Sequence, residues 1–335
     1  MKKINVHSKK HNYKVIIHDN IYQLLDKFIK NDKKYFILLD KNVSPLFKEY
    51  IHEDLRDSTV YEVRGGEKSK DIDTYQSVIE AMEKAHISRD QEMIVIGGGT
   101  IGDLGAFVAS TYKRGISYYQ VPTTTLAMID SSVGGKTAIN FDNIKNLVGT
   151  FYPPKAVFIG LNVLETLDDR NYKNGLFEAL KMGLIMDKKL FSYFEEGNPK
   201  DNIEEIIFRS VKNKARVVSQ DEFEIGKRRI LNFGHTIGHA IEVNSKLLHG
   251  EAIANGMLIS SRTKPYYTTL KKCINKLDCP ILDRFNVVKL IEVIKNDKKI
   301  NDGDIQFVEV TKIGKAKIVP TSIKEVKGML NSYVI

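Results

Sequence analysis

A chain of 335 residues is long for one hydrophobic core and fits two domains, and its 42% hydrophobic and 28% charged residues exclude extended disorder. No uninterrupted apolar run approaches the ~20 residues of a membrane span, and the basic N-terminus leads into no apolar stretch, so the expectation is a cytoplasmic protein with no membrane partner. The net charge of +9 is consistent with an anionic ligand, but lysines alternate with acids, as in Lys30-Asn31-Asp32-Lys33-Lys34, and no aromatics interleave with them as nucleic-acid binding requires.

In chain order, Tyr35-Phe36-Ile37-Leu38-Leu39 predicts a buried strand ending at Asp40, and Ser58 to Val63 a second strand closed by Gly65-Gly66. Thr74 to Ala85 has helical periodicity. Glu92 to Ile96 is a third apolar strand running into three glycines, and Ile116 to Val121 a fourth, stopped by Pro122. Strands alternating with helices imply a doubly wound, mostly parallel sheet. After Tyr152-Pro153-Pro154 apolar residues recur at three and four positions, with helices expected over 174–197, 202–219 and 250–263. The expected organisation is α/β: a nucleotide-binding domain over 1–160 and a mainly helical metal- and substrate-binding domain over 161–335. Its tail, Asp304 to Val310 and Lys315 to Val319, reads as a hairpin turning at Lys312-Ile313-Gly314. Cys273 and Cys279 match neither a redox pair nor a zinc knuckle and read as reduced.

Gly97-Gly98-Gly99-Thr100-Ile101-Gly102-Asp103 follows a strand and opens a helix, a context in which backbone N–H groups cradle a pyrophosphate. A tight turn alone would also use glycines. The next strand ends without a ribose-binding acid, which leaves Asp40 as the natural candidate. Between Pro122 and Asn146, the hydroxyls, Asp130, Lys136, Lys145 and Asn146 make either a polar site for a phosphorylated polyol or a solvated loop. Gly134-Gly135-Lys136-Thr137 echoes a Walker A ending, but no strand leads into it.

The most informative segment is Leu231-Asn232-Phe233-Gly234-His235-Thr236-Ile237-Gly238-His239-Ala240-Ile241-Glu242, followed by His249-Gly250-Glu251. On a helix, His235 and His239 share one face at i and i+4, a ligand spacing, with His249 as a possible third nitrogen. Buried core histidines are the alternative. Thr236 stands where a zinc protease would carry its general base, so peptide hydrolysis is not indicated. Gly234 and Gly238 are expected to keep the histidine face thin for an approaching metal or substrate.

Together these blocks resemble the 3-dehydroquinate synthase family of sugar-phosphate cyclases. Further blocks that carry the likeness are Gly65-Gly66-Glu67-Lys68-Ser69-Lys70, Arg114-Gly115, Glu178-Ala179-Leu180-Lys181, Lys214 to Val218 and Asp221-Glu222. The resemblance implies a phosphate-eliminating lyase that converts 3-deoxy-D-arabino-heptulosonate 7-phosphate to 3-dehydroquinate by transient NAD oxidation, β-elimination, reduction and intramolecular aldol closure. It implies NAD and one divalent metal, zinc or cobalt, held by Glu178, His235 and His249, and it moves His239 from ligand to substrate-site histidine. The implied substrate contacts are Lys136, Lys145, Asn146, Lys181, Lys214, Arg228, Asn232 and Arg114, with Lys298 or Lys299 in addition. The implied contacts to NAD are Asp40, Asn42, Glu67, Lys70, Gly98, Gly99, Asp103, Thr123, Thr124, Asp130, Lys136, Lys145, Thr166 and Leu167. A homodimer is implied, with Arg114 reaching the phosphate of the neighbouring subunit. Met128 stands where glutamine is common, and Ala179-Leu180 where Val-Ile is more usual. Sibling cyclases, metal-dependent polyol or alcohol dehydrogenases and a non-catalytic binding protein are the rival readings.

Overall fold

The computed structural model describes residues 1–142, 144–296, 300–301 and 304–333; Lys298 and Lys299 lie outside the described residues. Contacts divide the chain into two units, Met1–Tyr172 with Lys214–Phe223, and Lys173–Asn213 with Glu224–Ile335.

The first unit holds β1 (Lys2–Val6), β2 (Tyr13–His18), β3 (Tyr35–Asp40), β4 (Thr59–Val63), β5 (Glu92–Gly97), β6 (Tyr118–Pro122), β7 (Lys136–Phe141), β8 (Ile144–Phe151) and β9 (Ala156–Gly160). Its helices are α1 (Ile21–Phe28), α2 (Ser44–Asp54), α3 (Ile72–Lys84) and α4 (Gly99–Thr111). Seven strands form one sheet in the order β1-β2-β9-β6-β5-β3-β4, parallel except for β1 against β2. Strands β3 and β5 are buried along their whole length, which is why they read as continuous apolar runs. From β3 the chain moves outward to β4 and then returns to β5 on the other side of β3. That reversal puts the topological switch between β3 and β5, the place where open α/β sheets bind ligands beyond their carboxyl ends. Helix α4 lies close on the sheet, because a Cβ on Gly105 would stand 2.6 Å from Val95 Cγ1.

Five strands of this unit were not anticipated. Strands β1 and β2 form a hairpin, and β9 follows Pro153-Pro154. Residues 136–151, expected to be a polar site or a loop, form the antiparallel hairpin β7–β8.

Further along the chain come α5 (Asp169–Met186), α6 (Lys188–Glu195), α7 (Ile203–Gln220), α8 (His235–Val243), α9 (His249–Ser261), α10 (Tyr267–Lys276), α11 (Val287–Asn296), β10 (Ile300–Asn301), β11 (Asp304–Lys312), β12 (Lys315–Ser322) and α12 (Ile323–Tyr333). Two of the boundaries between units fall within α5 and α7, and the third, between Phe223 and Glu224, follows α7. The single helix expected over 174–197 is two, since Asp187 interrupts it and caps α6 by accepting from the Leu190 N–H at 3.0 Å. The tail hairpin forms as expected, with Gly314 at φ +82° in its turn. Helix α9 is buried on nearly every side and packs against α8. No helix among the described residues is long and apolar enough to cross a membrane.

Candidate functional site

In the second unit, α8 begins at His235, which places His235 and His239 on one face with ring centroids 5.1 Å apart. His249 opens α9, and its ring centroid lies 5.5 Å from His235 and 5.7 Å from His239. Helix α5 contributes Glu178, which is fully buried. Its Oε1 lies 3.6 Å from Nε2 of His235 and 3.6 Å from Nε2 of His249, with no hydrogen-bond partner. Ligands on a tetrahedral zinc at about 2.0–2.1 Å stand roughly 3.3 Å apart, so Glu178 Oε1 stands from each Nε2 at nearly the spacing a divalent ion requires. The histidine donors, His239 included, all lie within 4.8 Å of one another.

The imidazoles are oriented from behind. His235 Nδ1 pairs with the Phe233 carbonyl at 3.1 Å, and His249 Nδ1 pairs with Glu242 Oε2 at 3.1 Å, so each ring leaves Nε2 for Glu178 or an ion. Burial, then the charge of Lys181, keeps His235 well below its usual pKa and hence neutral. For His249, burial opposes the charged form but is outweighed by the neighbouring Glu178 and Glu242 carboxylates, which lift it to about 9. Burial also opposes ionisation of Glu178; the neighbouring Lys181 ammonium and His249 outweigh it and hold the carboxyl below its usual range. Lys181, one turn further along α5 and equally buried, donates to Glu178 Oε2.

Gly234 and Gly238 do not thin the histidine face, contrary to expectation. A Cβ on Gly234 would meet Met257 Cγ at 2.7 Å, and one on Gly238 would meet Ile253 Cδ1 at 2.8 Å. Both glycines serve the close approach of α9. Arg228 is buried on the 3₁₀ turn before α8, and Asn232, on the same turn, donates to Glu224 Oε1 at 2.7 Å.

In the first unit the carboxyl ends of the parallel strands carry most of the expected NAD contacts. Asp40 ends β3, and its Oδ1 accepts the N–H groups of Asn42 at 3.0 Å and Gly65 at 3.1 Å. Gly65 admits no side chain, since a Cβ there would stand 2.2 Å from Asp40 Oδ2. Gly98 caps α4 without a side-chain bond, which leaves the helix N-terminus to a ligand. A Cβ on Gly98 would meet Thr124 Cγ2 at 3.0 Å, and one on Gly99 would meet Ser131 Oγ at 3.0 Å, so the turn is shaped by what its residues lack. Thr123 and Ser131 have buried hydroxyls without partners, a donor set suited to a phosphate or ribose. Thr166 and Leu167 follow β9 at the same edge of the sheet.

Glu67, Lys70, Asp103 and Asn146 are drawn together, with Lys70 buried and donating to both Asp103 and Asn146. Lys214 reaches Asp130, at 2.7 Å to its carbonyl and 2.7 Å to its carboxylate. Lys136 and Lys145 are exposed on the β7–β8 hairpin. Arg114 is exposed in a turn where Lys113, Arg114 and Gly115 have φ of +48°, +66° and +110°. Residues missed from sequence include Glu242, whose position seven residues after His235 puts it on the histidine face, and Asn174, whose Oδ1 accepts the Gly250 N–H at 2.7 Å at the start of α9.

A parallel sheet with a glycine turn at its switch point and a Glu-His-His cluster defines a class of NAD- and metal-dependent folds. Solved structures with this fold include 2-deoxy-scyllo-inosose synthase with carbaglucose-6-phosphate, NAD+ and Co2+, at TM-score 0.85 and 24% identity over 99% of both chains. An iron-containing alcohol dehydrogenase from Thermococcus thioreducens matches at TM-score 0.71 and 12% identity, over 96% of this chain and 98% of that one. The 2-epi-5-epi-valiolone synthase from Streptomyces hygroscopicus subsp. jinggangensis, with NAD+ and Zn2+ bound, matches at TM-score 0.87 and 25% identity over 98% of each chain.

The family models for the 3-dehydroquinate synthase N-terminal and C-terminal regions match residues 60–174 and 175–300. The 3-dehydroquinate synthases of Caldanaerobacter subterraneus subsp. tengcongensis and Endomicrobium trichonymphae are 41% and 40% identical to the chain, the first over 92% of each protein, the second over 97% of this chain and 96% of the relative. The chain belongs to the 3-dehydroquinate synthase family.

Proposed function

We infer that the chain converts 3-deoxy-D-arabino-heptulosonate 7-phosphate to 3-dehydroquinate and phosphate, with NAD and one divalent metal as its resident groups. The observation that carries the reading is the unpartnered Glu178 Oε1, set 3.6 Å from the Nε2 atoms of His235 and His249, in a chain whose first unit has a glycine turn at the sheet's switch point. When bound, NAD supplies a hydride acceptor that is restored within the cycle, and the metal, zinc or cobalt, supplies a Lewis acid for substrate hydroxyls.

The chain's own residues do the rest. Asp40 offers its carboxylate to ribose hydroxyls, and the α4 N-terminus and Thr123-Thr124 offer donors to the pyrophosphate. Glu178, His235 and His249 hold the metal, with Phe233 and Glu242 fixing the two rings. His239, on the same helix face but outside this ligand set, is placed to carry a proton. Lys136, Lys145, Lys181, Lys214 and Arg228 counter the charge of the substrate's phosphate and carboxylate, and Asn146 and Asn232 hold its hydroxyls. Fixed cations around the phosphate stabilise it as a leaving group, as charge-assisted contacts do.

Purified protein given this substrate, NAD and cobalt should release phosphate and 3-dehydroquinate in equal amounts. Turnover of other sugar phosphates in preference would point to a sibling cyclase.

A homodimer is part of the same reading. The three consecutive positive φ values at 113–115 hold Arg114 outward, and its planar fork suits phosphate oxygens bound by the partner subunit. Mixing inactive Arg114→Ala and Lys181→Ala chains should restore part of the activity, because one mixed site regains both side chains. No recovery despite proven subunit exchange would show that Arg114 serves its own subunit.

A further inference from the structure

Asn140, near the end of β7, has no role in the chemistry above, yet its amide is engaged at both ends. Its Nδ2 donates to Glu67 Oε1 at 2.8 Å and, at 3.4 Å, to the Glu67 carbonyl, while its Oδ1 accepts the backbone N–H of Asn146 at 2.9 Å. Its own backbone N–H donates to the Lys70 carbonyl at 2.7 Å. Lys70 closes the circuit by donating from its buried ammonium to Asp103 and to Asn146 Oδ1. The 3₁₀ turn Glu67–Ser69 with Lys70, helix α4 and the β7–β8 hairpin are thereby joined through one polar network.

Asn146 is the strained member, at φ +55°, a left-handed conformation that asparagine visits more readily than most residues. The bond to Asn140 holds its backbone and the bond to Lys70 holds its side-chain oxygen. With Oδ1 occupied, Nδ2 remains as the end able to serve a ligand. We propose that Asn140 is a positioning residue that links the NAD loop at Glu67 and Lys70 to the substrate-binding asparagine, so that cofactor binding and the pose of Asn146 are coupled. The proposal rests on the reading that Glu67, Lys70 and Asp103 contact NAD and that Asn146 contacts substrate.

Two substitutions separate a coupling role from a merely structural one. Asn140→Ala removes both ends of the amide. Asn140→Asp keeps the acceptor for the Asn146 N–H but turns a carboxylate oxygen toward Glu67. The chain has no tryptophan, so NAD affinity is best read by calorimetry, alongside kcat/KM at saturating NAD. Asn140→Ala should weaken NAD binding about tenfold and lower kcat/KM about tenfold, the worth of one well-placed hydrogen bond on each side. Asn140→Asp should weaken NAD binding similarly while keeping kcat/KM at saturating NAD within about twofold of the wild type. In an Asn146→Ala background, adding Asn140→Ala should leave kcat/KM unchanged while NAD affinity still falls, because its effect on substrate passes through Asn146.

Multiplicative losses of kcat/KM in the double variant would overturn the proposal. Equal damage by Asp and Ala on both readouts, or folded Asn140→Ala protein with unchanged NAD affinity and kcat/KM, would do the same. Wild-type protein that fails to bind NAD, or Asn146→Ala with undiminished kcat/KM, would instead remove the functional reading on which the proposal stands.

Discussion

The two candidate sites are made in opposite ways. At the sheet's switch point in the first unit the work is done by backbone and by missing atoms: Gly65, Gly98 and Gly99 leave room, a helix N-terminus supplies donors, and Asp40 is held by two backbone N–H groups. In the second unit the site is made of buried side chains, Glu178, His235 and His249, each supported by a further polar partner such as Lys181, Phe233 or Glu242. A site made of absences is harmed by adding a methyl group. A site made of ligands is harmed by removing one.

The largest effect should come from removing the metal or a ligand. Chelation, or Glu178→Gln, should cut turnover by about a thousandfold or more, because a Lewis acid is worth several kcal/mol of charge stabilisation. Zinc or cobalt should restore the chelated wild type, and NAD titration should give unchanged affinity in both cases. Full turnover in protein shown by elemental analysis to be metal-free would break the comparison at its second member.

A smaller loss is expected from Glu242→Ala, which frees His249 Nδ1 while leaving the ligands in place. Loss of such an orienting partner typically lowers metal affinity by about ten- to a hundredfold, to be read by competition with a chromogenic chelator. An unchanged metal affinity would mean that the 3.1 Å contact does not orient the ring.

Smaller still is the effect of Gly65→Ala. Its methyl would collide with the Asp40 carboxylate and shift it, weakening NAD by about tenfold, the worth of a hydrogen bond to a charged group. Metal content should not change. Wild-type NAD affinity in this variant would show that Asp40 is not the ribose acid.

The same contrast explains what the sequence disclosed. Strands β3 and β5 are buried on both faces, so their apolar runs are unmistakable, and the glycine turn follows β5 directly. The histidines of α8 announce themselves through i, i+4 spacing. Glu178 has no such local signature: it is one acid on α5, brought to His235 and His249 only by tertiary packing, and resemblance alone pointed to it. Strand β8 is exposed at almost every residue and therefore lacks the alternation that marks a half-buried strand. Gly234 and Gly238 were misread because spacing gives a helical face but not what lies against it, which here is α9. Asp187 carried the capping signal that divides α5 from α6, hidden within a continuous helical periodicity.

The central claim is that this chain uses NAD as a recycled partner in a phosphate-eliminating cyclisation, not as a consumed oxidant. It is tested most directly by following absorbance at the NADH wavelength and phosphate release in one reaction, with NAD far below substrate. The account predicts phosphate released to many times the NAD present, with no steady accumulation of NADH. NADH rising in step with substrate loss, and stopping when NAD runs out, would contradict it and place the chain's activity with the dehydrogenases that share its fold.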